Sequence, residues 1–194
     1  RSFGPVGAPM ADRRVRRLRD LERVLFRAWC IWLCTPGLGE RQECQARDQF
    51  QRVAQQMEQA LASGGGRWLD PDDPDGPIPG TADLVFIPYV ERMNASLAYF
   101  KGFALRQEHP AIDRWLTALE QLETYRGTQS DVHTHAHDLP PQMGGCWADG
   151  SEAQQRLALA VDSGAGLNEL ERRWSSSSEV VSAKARALER VLRH

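Results

Sequence analysis

The residues best suited to chemistry are three histidines at alternate positions, His133, His135 and His137, with Asp131 and Asp138 flanking them. Imidazole nitrogens and carboxylate oxygens are common ligands of Zn²⁺ and other borderline metals. In an extended strand, residues two apart lie on one face, so this spacing would present three imidazoles together. The alternative is a polar segment whose histidines bond backbone carbonyls and pack on the fold. No cysteine pair accompanies the histidines, which favours the alternative.

Four cysteines are the candidates for thiol chemistry: Cys30, Cys34, Cys44 and Cys146. No two of them form a C-x-x-C pair. Cys30 and Cys34 lie four residues apart on a predicted helix, a spacing typical of two small core residues rather than of a disulfide. We therefore expect buried free thiols in a reducing compartment. A metal or redox role is the alternative.

Five arginines near the start of the chain could form a phosphate-binding patch. They are Arg13, Arg14, Arg16, Arg17 and Arg19. Acidic residues are interspersed with them at positions 12, 20 and 22, and the whole chain carries a net charge of −2. We therefore predict a solvated, ion-paired helix face and no nucleic-acid partner.

The run DPDDPDGPIPG at residues 70–80 carries four aspartates, which are typical calcium ligands. An EF-hand loop needs its spaced carboxylates to be followed by a bidentate glutamate at the twelfth position. Prolines interrupt the spacing here. We predict a solvated turn, which is the usual role of Pro, Asp and Gly in such runs.

With 194 residues and 41% apolar composition, the chain can bury one core. Arg27 interrupts the most apolar run, at residues 24–33, so we predict no membrane span. The chain begins with Arg1 and a short lead-in, residues 1–11, that does not read as a signal peptide. We expect further residues to precede it.

The most informative helix signal lies at residues 81–101. Apolar residues recur there at steps of three and four, which predicts a helix with a wide apolar face. They are Ala82, Val85, Phe86, Tyr89, Met93, Leu97 and Phe100. Asp83 lies in the first turn, where a carboxylate can accept backbone N–H groups, and Pro88 predicts a kink. We expect this helix at the centre of an all-α bundle.

Other helices are predicted around it at residues 12–33, at 40–62 and from residue 110 onward, with Asp12 as an N-cap. The short connection after the first helix makes the first two antiparallel neighbours. Residues 128–151 are rich in His, Pro and Gly, and we predict an extended segment there, with a PPII path at 139–142. Residues 152–194 form a tail that is weakly helical at 152–160 and ends in an amphipathic helix at 180–194.

The order of these parts over residues 12–127 resembles the C-terminal helical domain of the glutathione S-transferase family. The resemblance rests on Gly80-Thr81-Ala82-Asp83 and on HPAIDRWLTALEQLETYR at 109–126. In that family a Ser/Thr-x-x-Asp capping box opens the buried helix, so Gly80, Thr81 and Asp83 form its expected cap. Gly80 stands where the family has the Ser or Thr of this box. We therefore expect only the hydrogen bond that the Asp83 side chain accepts. Residues 91–147 are similar to a divergent branch found in cyanobacteria and in algal plastids.

The resemblance also carries expectations about a site. The family's first helix borders the cleft for the electrophilic substrate, which implies a ligand cleft near Arg13, Arg17, Trp29, Trp32 and Tyr89. The glutathione site and its thiol-activating residue lie on an N-terminal thioredoxin-like domain, which no segment of this sequence matches. We therefore expect no catalytic residue, no cofactor, and glutathione only with an upstream thioredoxin-like domain. No residue is a good candidate for lowering the pKa of a thiol.

Three functional hypotheses follow. The chain is a non-catalytic binding or assembly module; or it is the C-terminal half of a glutathione-dependent transferase or lyase; or it is a structural subunit of a plastid complex. A protein partner would bind through residues 128–194 or through the bundle, and a homodimer is a further option. The resemblance implies a chloroplast location; otherwise we expect the cytoplasm.

Overall fold

The computed structural model describes residues 13–63, 65, 67–69 and 78–163. These residues form helices and no strand, which confirms the all-α class. The helices are α1 (Arg13–Cys34), α2 (Glu40–Ser63), α3 (Thr81–Lys101), α4 (Leu105–Glu108), α5 (Pro110–Glu120), α6 (Glu123–Thr128), α7 (Val132–Met143) and α8 (Glu152–Asp162). The lead-in, the Asp12 cap, most of the acidic turn and the terminal amphipathic helix lie outside the described residues.

Helix α3 is the central element, because it contacts α1, α4, α7 and α8. Leu84 is its only exposed residue. Of the predicted apolar face, Val85, Tyr89 and Phe100 are half-buried, whereas Val90, which lies off that face, is fully buried. A helix enclosed on several sides buries residues all round, so one apolar stripe describes it incompletely. The kink at Pro88 stays a prediction.

The first two helices pack together around large aromatic side chains. The ring centroid of Trp32 on α1 lies 5.6 Å from that of Phe50 on α2 and 5.4 Å from that of Phe103, which follows α3. Trp32 and Phe50 are almost completely buried. This cluster joins the α1–α2 pair to the end of the central helix, and aromatic pairs of this kind stabilise a core beyond the area they bury.

Asp83 joins three separate parts of the chain at the start of α3. Its side chain is fully buried. Oδ1 accepts hydrogen bonds from Leu69 N at 2.8 Å and Trp115 Nε1 at 2.7 Å, and Oδ2 accepts one from Gly80 N at 2.9 Å. Gly80 has no side chain to return the bond, so the cap consists of the aspartate half alone.

Helix α5 begins with Pro110 at its first position, as predicted, but its cap comes from another helix. Glu58 of α2 accepts hydrogen bonds from Ala111 N at 2.6 Å and Ile112 N at 2.9 Å. A carboxylate at a helix N-terminus satisfies free N–H groups and meets the positive end of the helix dipole. This contact attaches α5 to α2.

The extended path predicted for residues 128–151 is wrong over half of its length, because Val132–Met143 is the helix α7. Asp131 caps it by accepting a 2.7 Å hydrogen bond from Thr134 N. Pro140 and Pro141 lie within its last turns, and Gly144 ends it with φ of 77°. The helix packs on α3 and buries Ala136 and Leu139, so hydrophobic burial outweighs the proline-rich composition.

Helix α8 closes against the C-terminal end of α3. Gly102 follows α3 with φ of 59°, and a Cβ at this position would lie 2.5 Å from Gln154 N. Gln154 Nε2 donates to Tyr99 O at 2.8 Å, and Asp149 N donates to Phe100 O at 2.9 Å. Only glycine permits this approach. Within the described part of the chain, none of these helices has the length and apolarity to cross a membrane.

Candidate ligand cleft

A cleft of about 760 Å³ opens beside the C-terminal end of α3. Its walls come from the end of α1, the start of α2, residues 101–103 at the end of the central helix, and the segment that leads into α8. Small-molecule sites in proteins commonly have volumes of about 300–1,000 Å³. The cleft therefore has the size and the multi-element construction of a binding site.

The polar floor of the cleft is a buried ion pair. Lys101 Nζ lies 2.7 Å from Glu43 Oε1, and the Lys101 side chain is 1% exposed. Trp32 Nε1 donates to the same oxygen at 2.7 Å. A buried cation with a carboxylate partner is held in one position, so the floor presents a fixed polar group within a mainly apolar site.

The apolar walls are formed by Trp32, Leu38, Phe103 and Trp147. Trp147 is 47% exposed, although its backbone is fixed by a 2.9 Å hydrogen bond from its N–H to Leu33 O. An indole held at the edge of a cleft can pack on a flat ligand, and its N–H can still donate a hydrogen bond. The described lining contains no histidine, so no Ser-His or Cys-His pair is formed there.

Of the residues singled out from the sequence, Trp32 and Cys44 line this cleft, whereas Lys101, Glu43 and Trp147 were not among them. Glu43 and Lys101 come from different helices, and nothing local marks them as partners. Two local features could have drawn attention to these residues. They are the run of polar residues at the start of α2, which includes Glu43, and the position of Lys101 directly before Gly102 at the end of α3.

The other residues expected to line a cleft lie elsewhere. Arg13 and Arg17 are exposed on α1. Trp29 is buried and donates to Ser96 Oγ at 3.0 Å. Tyr89 is half-buried, with its ring 5.3 Å from that of Phe26. Their place in a cleft completed by another domain stays a prediction.

The cysteines lie near the same end of the bundle, and all four are free. Cys44 is exposed, so the expectation of a buried thiol is wrong for it, and Cys30, Cys34 and Cys146 are only half-buried. Cys34 is partly buried, and a hydrogen bond from Cys146 lowers the pKa of its thiol, with Lys101 acting in the same direction. The expectation that nothing in the chain lowers the pKa of a thiol is therefore also wrong. Burial beside Cys34 raises the pKa of Cys30 to about 11.

The three histidines do not meet, because they lie on a helix rather than a strand. Residues four apart share a helix face, and residues two apart do not. The His133 and His137 rings are 4.4 Å apart, whereas His135 is buried with Nε2 at 3.6 Å from Glu91. The group that sequence reasoning missed is Asp162 of α8, whose Oδ1 lies 3.1 Å from His137 Nε2.

These features define an all-helical domain wound around a buried, aspartate-capped helix, with a ligand-sized cleft at the C-terminal end of that helix. The family model described as glutathione S-transferase, C-terminal domain, matches residues 18–118. The chain belongs to this family, which confirms the resemblance drawn from the sequence. Searches of curated proteins and of solved structures gave no match.

Proposed function

We propose that this domain is a binding module that takes a small ligand with a flat apolar body in the cleft beside Lys101. The observation that carries the proposal is the combination of a fixed Lys101–Glu43 floor with the exposed indole of Trp147 at the rim. Apolar walls with a few fixed polar groups are the usual construction of small-molecule sites. The described domain acts by binding, and any bond-breaking chemistry belongs to another part of the protein.

The charges of the lining restrict the ligand class. Lys101 is neutralised by Glu43, and the exposed cation Arg47 lies in a lining that also contains Glu40 and Asp149. The site therefore has no strong charge of one sign. A neutral or singly charged aromatic compound suits it better than a polyanion.

The test is fluorescence titration with 8-anilinonaphthalene-1-sulfonate, comparing Trp147→Ala with the wild type. We expect the substitution to weaken binding about fivefold or more, because it removes the exposed wall of the cleft. Ile31→Ala is the control, since it removes an exposed apolar side chain that does not line the cleft. Equal affinity for the probe in the wild type and in Trp147→Ala would contradict the assignment of this cleft.

Family membership favours a second candidate, the C-terminal half of a glutathione-dependent transferase whose thioredoxin-like domain precedes this chain. Capture on immobilised glutathione separates the two. The second candidate predicts that the natural protein is retained and that this 21.8 kDa chain alone is not. Retention of the isolated chain would instead show a glutathione site within the helical domain and refute the non-catalytic module as stated.

A plastid role extends the first proposal. It rests on the similarity of residues 91–147 to the cyanobacterial and algal branch, and it casts the protein as a subunit held through residues 128–194 or through the bundle. Fractionation of the native protein tests this. Recovery from chloroplasts in an assembly larger than a homodimer supports the role, and a cytoplasmic monomer excludes it.

A further inference from the structure

Two helices bring a histidine pair and a carboxylate together at the surface. His133 and His137 lie one turn apart on α7, and Asp162 is the last residue of α8. One potential ligand atom from each residue lies within 4.8 Å of the other two. His137 and Asp162 lie 25 residues apart in the chain, so their approach is a product of the fold.

The distances suit a tetrahedral divalent cation. Zinc–nitrogen and zinc–oxygen bonds of roughly 2.0–2.2 Å place two ligands of a tetrahedral site about 3.3 Å apart. His137 Nε2 and Asp162 Oδ1 are already 3.1 Å apart. Their side chains are 43% and 47% exposed, so they are free to make the small remaining adjustment towards His133.

A further side chain orients the carboxylate. Tyr99 Oη donates to Asp162 Oδ1 at 3.1 Å and lies 3.2 Å from Oδ2. The Tyr99 ring also stands edge-on to the His137 ring at 5.0 Å. Hydrogen bonds that orient metal ligands in this way commonly change metal affinity by about 10–100-fold. The cluster thus has both ligands and a supporting residue, drawn from three helices.

We propose that His133, His137 and Asp162 form a zinc site, with solvent at the fourth position. Two imidazoles and one carboxylate at an accessible site favour zinc over Mg²⁺ or Ca²⁺, which prefer oxygen ligands. His135 is not a ligand, because it faces Glu91 in the interior. The bound ion links α7 to α8, and α8 is preceded by the segment that forms one wall of the cleft.

The experiment is equilibrium dialysis of the full 194-residue chain against micromolar zinc, followed by elemental analysis of the retained metal. We expect one zinc per chain and a rise in Tm of about 5 °C at a hundredfold excess over Kd, because the ion binds the folded form. Magnesium at the same concentration should produce neither effect. The cobalt-substituted protein should show the visible absorption of a tetrahedral site.

The variants His133→Gln, His137→Gln and Asp162→Asn should each weaken zinc binding at least about tenfold. Tyr99→Phe keeps all three ligands and removes one oriented hydrogen bond, so it should weaken binding less than they do. Glu152→Gln, at an exposed carboxylate on α8 outside the cluster, is the control that should leave binding unchanged. No zinc retained by the folded wild type, or equal retention by the folded Asp162→Asn variant, overturns the proposal.

Discussion

Cys34 shows how one contact changes the chemistry of a residue. Its thiol accepts a hydrogen bond from Cys146 and lies in the field of Lys101, and together these lower its pKa despite partial burial. Cys30, one turn earlier, has no such donor, and desolvation raises its pKa to about 11. Two cysteines of similar exposure on one helix therefore differ in reactivity, because the thiolate is the reactive species.

This difference predicts the effect of Cys146→Ala. Loss of the donor destabilises the Cys34 thiolate, so the pKa of Cys34 rises and its alkylation by iodoacetamide shifts to higher pH. A rise of one pKa unit would reduce the thiolate fraction about tenfold at neutral pH. Peptide mass spectrometry across a pH series measures the midpoint for each cysteine separately.

Cys44→Ala is the matched control, because Cys44 is exposed on α2 and its removal should leave the Cys34 midpoint unchanged. The midpoint, rather than the rate at one pH, is the informative quantity, since a smaller side chain at position 146 also improves access. An unchanged or lower Cys34 midpoint in Cys146→Ala would show that the hydrogen bond does not control this thiol.

At the scale of elements, the bundle depends on helix ends that other helices complete. Glu58 of α2 caps α5, and Gly102 at the end of α3 lets the start of α8 approach within contact distance. Each helix end leaves unsatisfied backbone groups that must find partners. In this protein those partners fix which helices become neighbours.

Gly102→Ala should destabilise the protein by about 2–4 kcal/mol. Roughly 1–2 kcal/mol comes from placing a Cβ in the left-handed conformation. The rest comes from the collision with the backbone of Gln154, which a rigid helix start cannot easily relieve. Urea unfolding monitored by circular dichroism measures the loss.

Two glycines serve as controls. Gly144 has φ of 77°, and no atom lies within 4 Å of the place its Cβ would take, so Gly144→Ala reports the conformational cost alone. Gly127 lies within α6 with open space around it, and Gly127→Ala should be neutral or stabilising by about 0.5–1 kcal/mol. If Gly102→Ala loses no more stability than Gly144→Ala, the close approach of α8 to Gly102 adds nothing to the destabilisation caused by the substitution.

At the scale of the molecule, α3 organises the described chain, and Asp83 connects its start to the rest. The carboxylate receives hydrogen bonds from the segment after α2, from the residue before α3 and from an indole on α5. Each donor belongs to a different part of the sequence. Buried donors that lose their acceptor cost free energy that no water molecule offsets.

Asp83→Ala should therefore lower the free energy of unfolding by at least about 3 kcal/mol, because each buried donor left unpaired costs roughly 1–3 kcal/mol. Urea titration with tryptophan fluorescence measures the change. Asp20→Ala, at an exposed position of α1, should stay within about 0.5 kcal/mol of the wild type. A similar small change in Asp83→Ala would mean that the three donors find other partners.

The sequence by itself determined the helical class, the helices α1, α2, α3 and α5, the central place of α3 and the importance of Asp83. Their signals are local: apolar residues at helical spacing, a carboxylate in the first turn and a proline where a helix begins. Such patterns act within one or two turns, so they can be read without knowing the neighbours. The same patterns supported the family resemblance.

Only the tertiary structure decided that α7 is a helix, that His137 meets Asp162 and that Lys101 pairs with Glu43. These outcomes depend on groups brought together across 25 or more residues, and a residue's own sequence neighbours do not specify such a partner. For α7, burial against α3 outweighed a composition rich in proline and histidine. The cleft and the proposed zinc cluster lie at such long-range junctions. For this reason the sequence showed two histidines of the cluster and part of the cleft lining, but neither site as a whole.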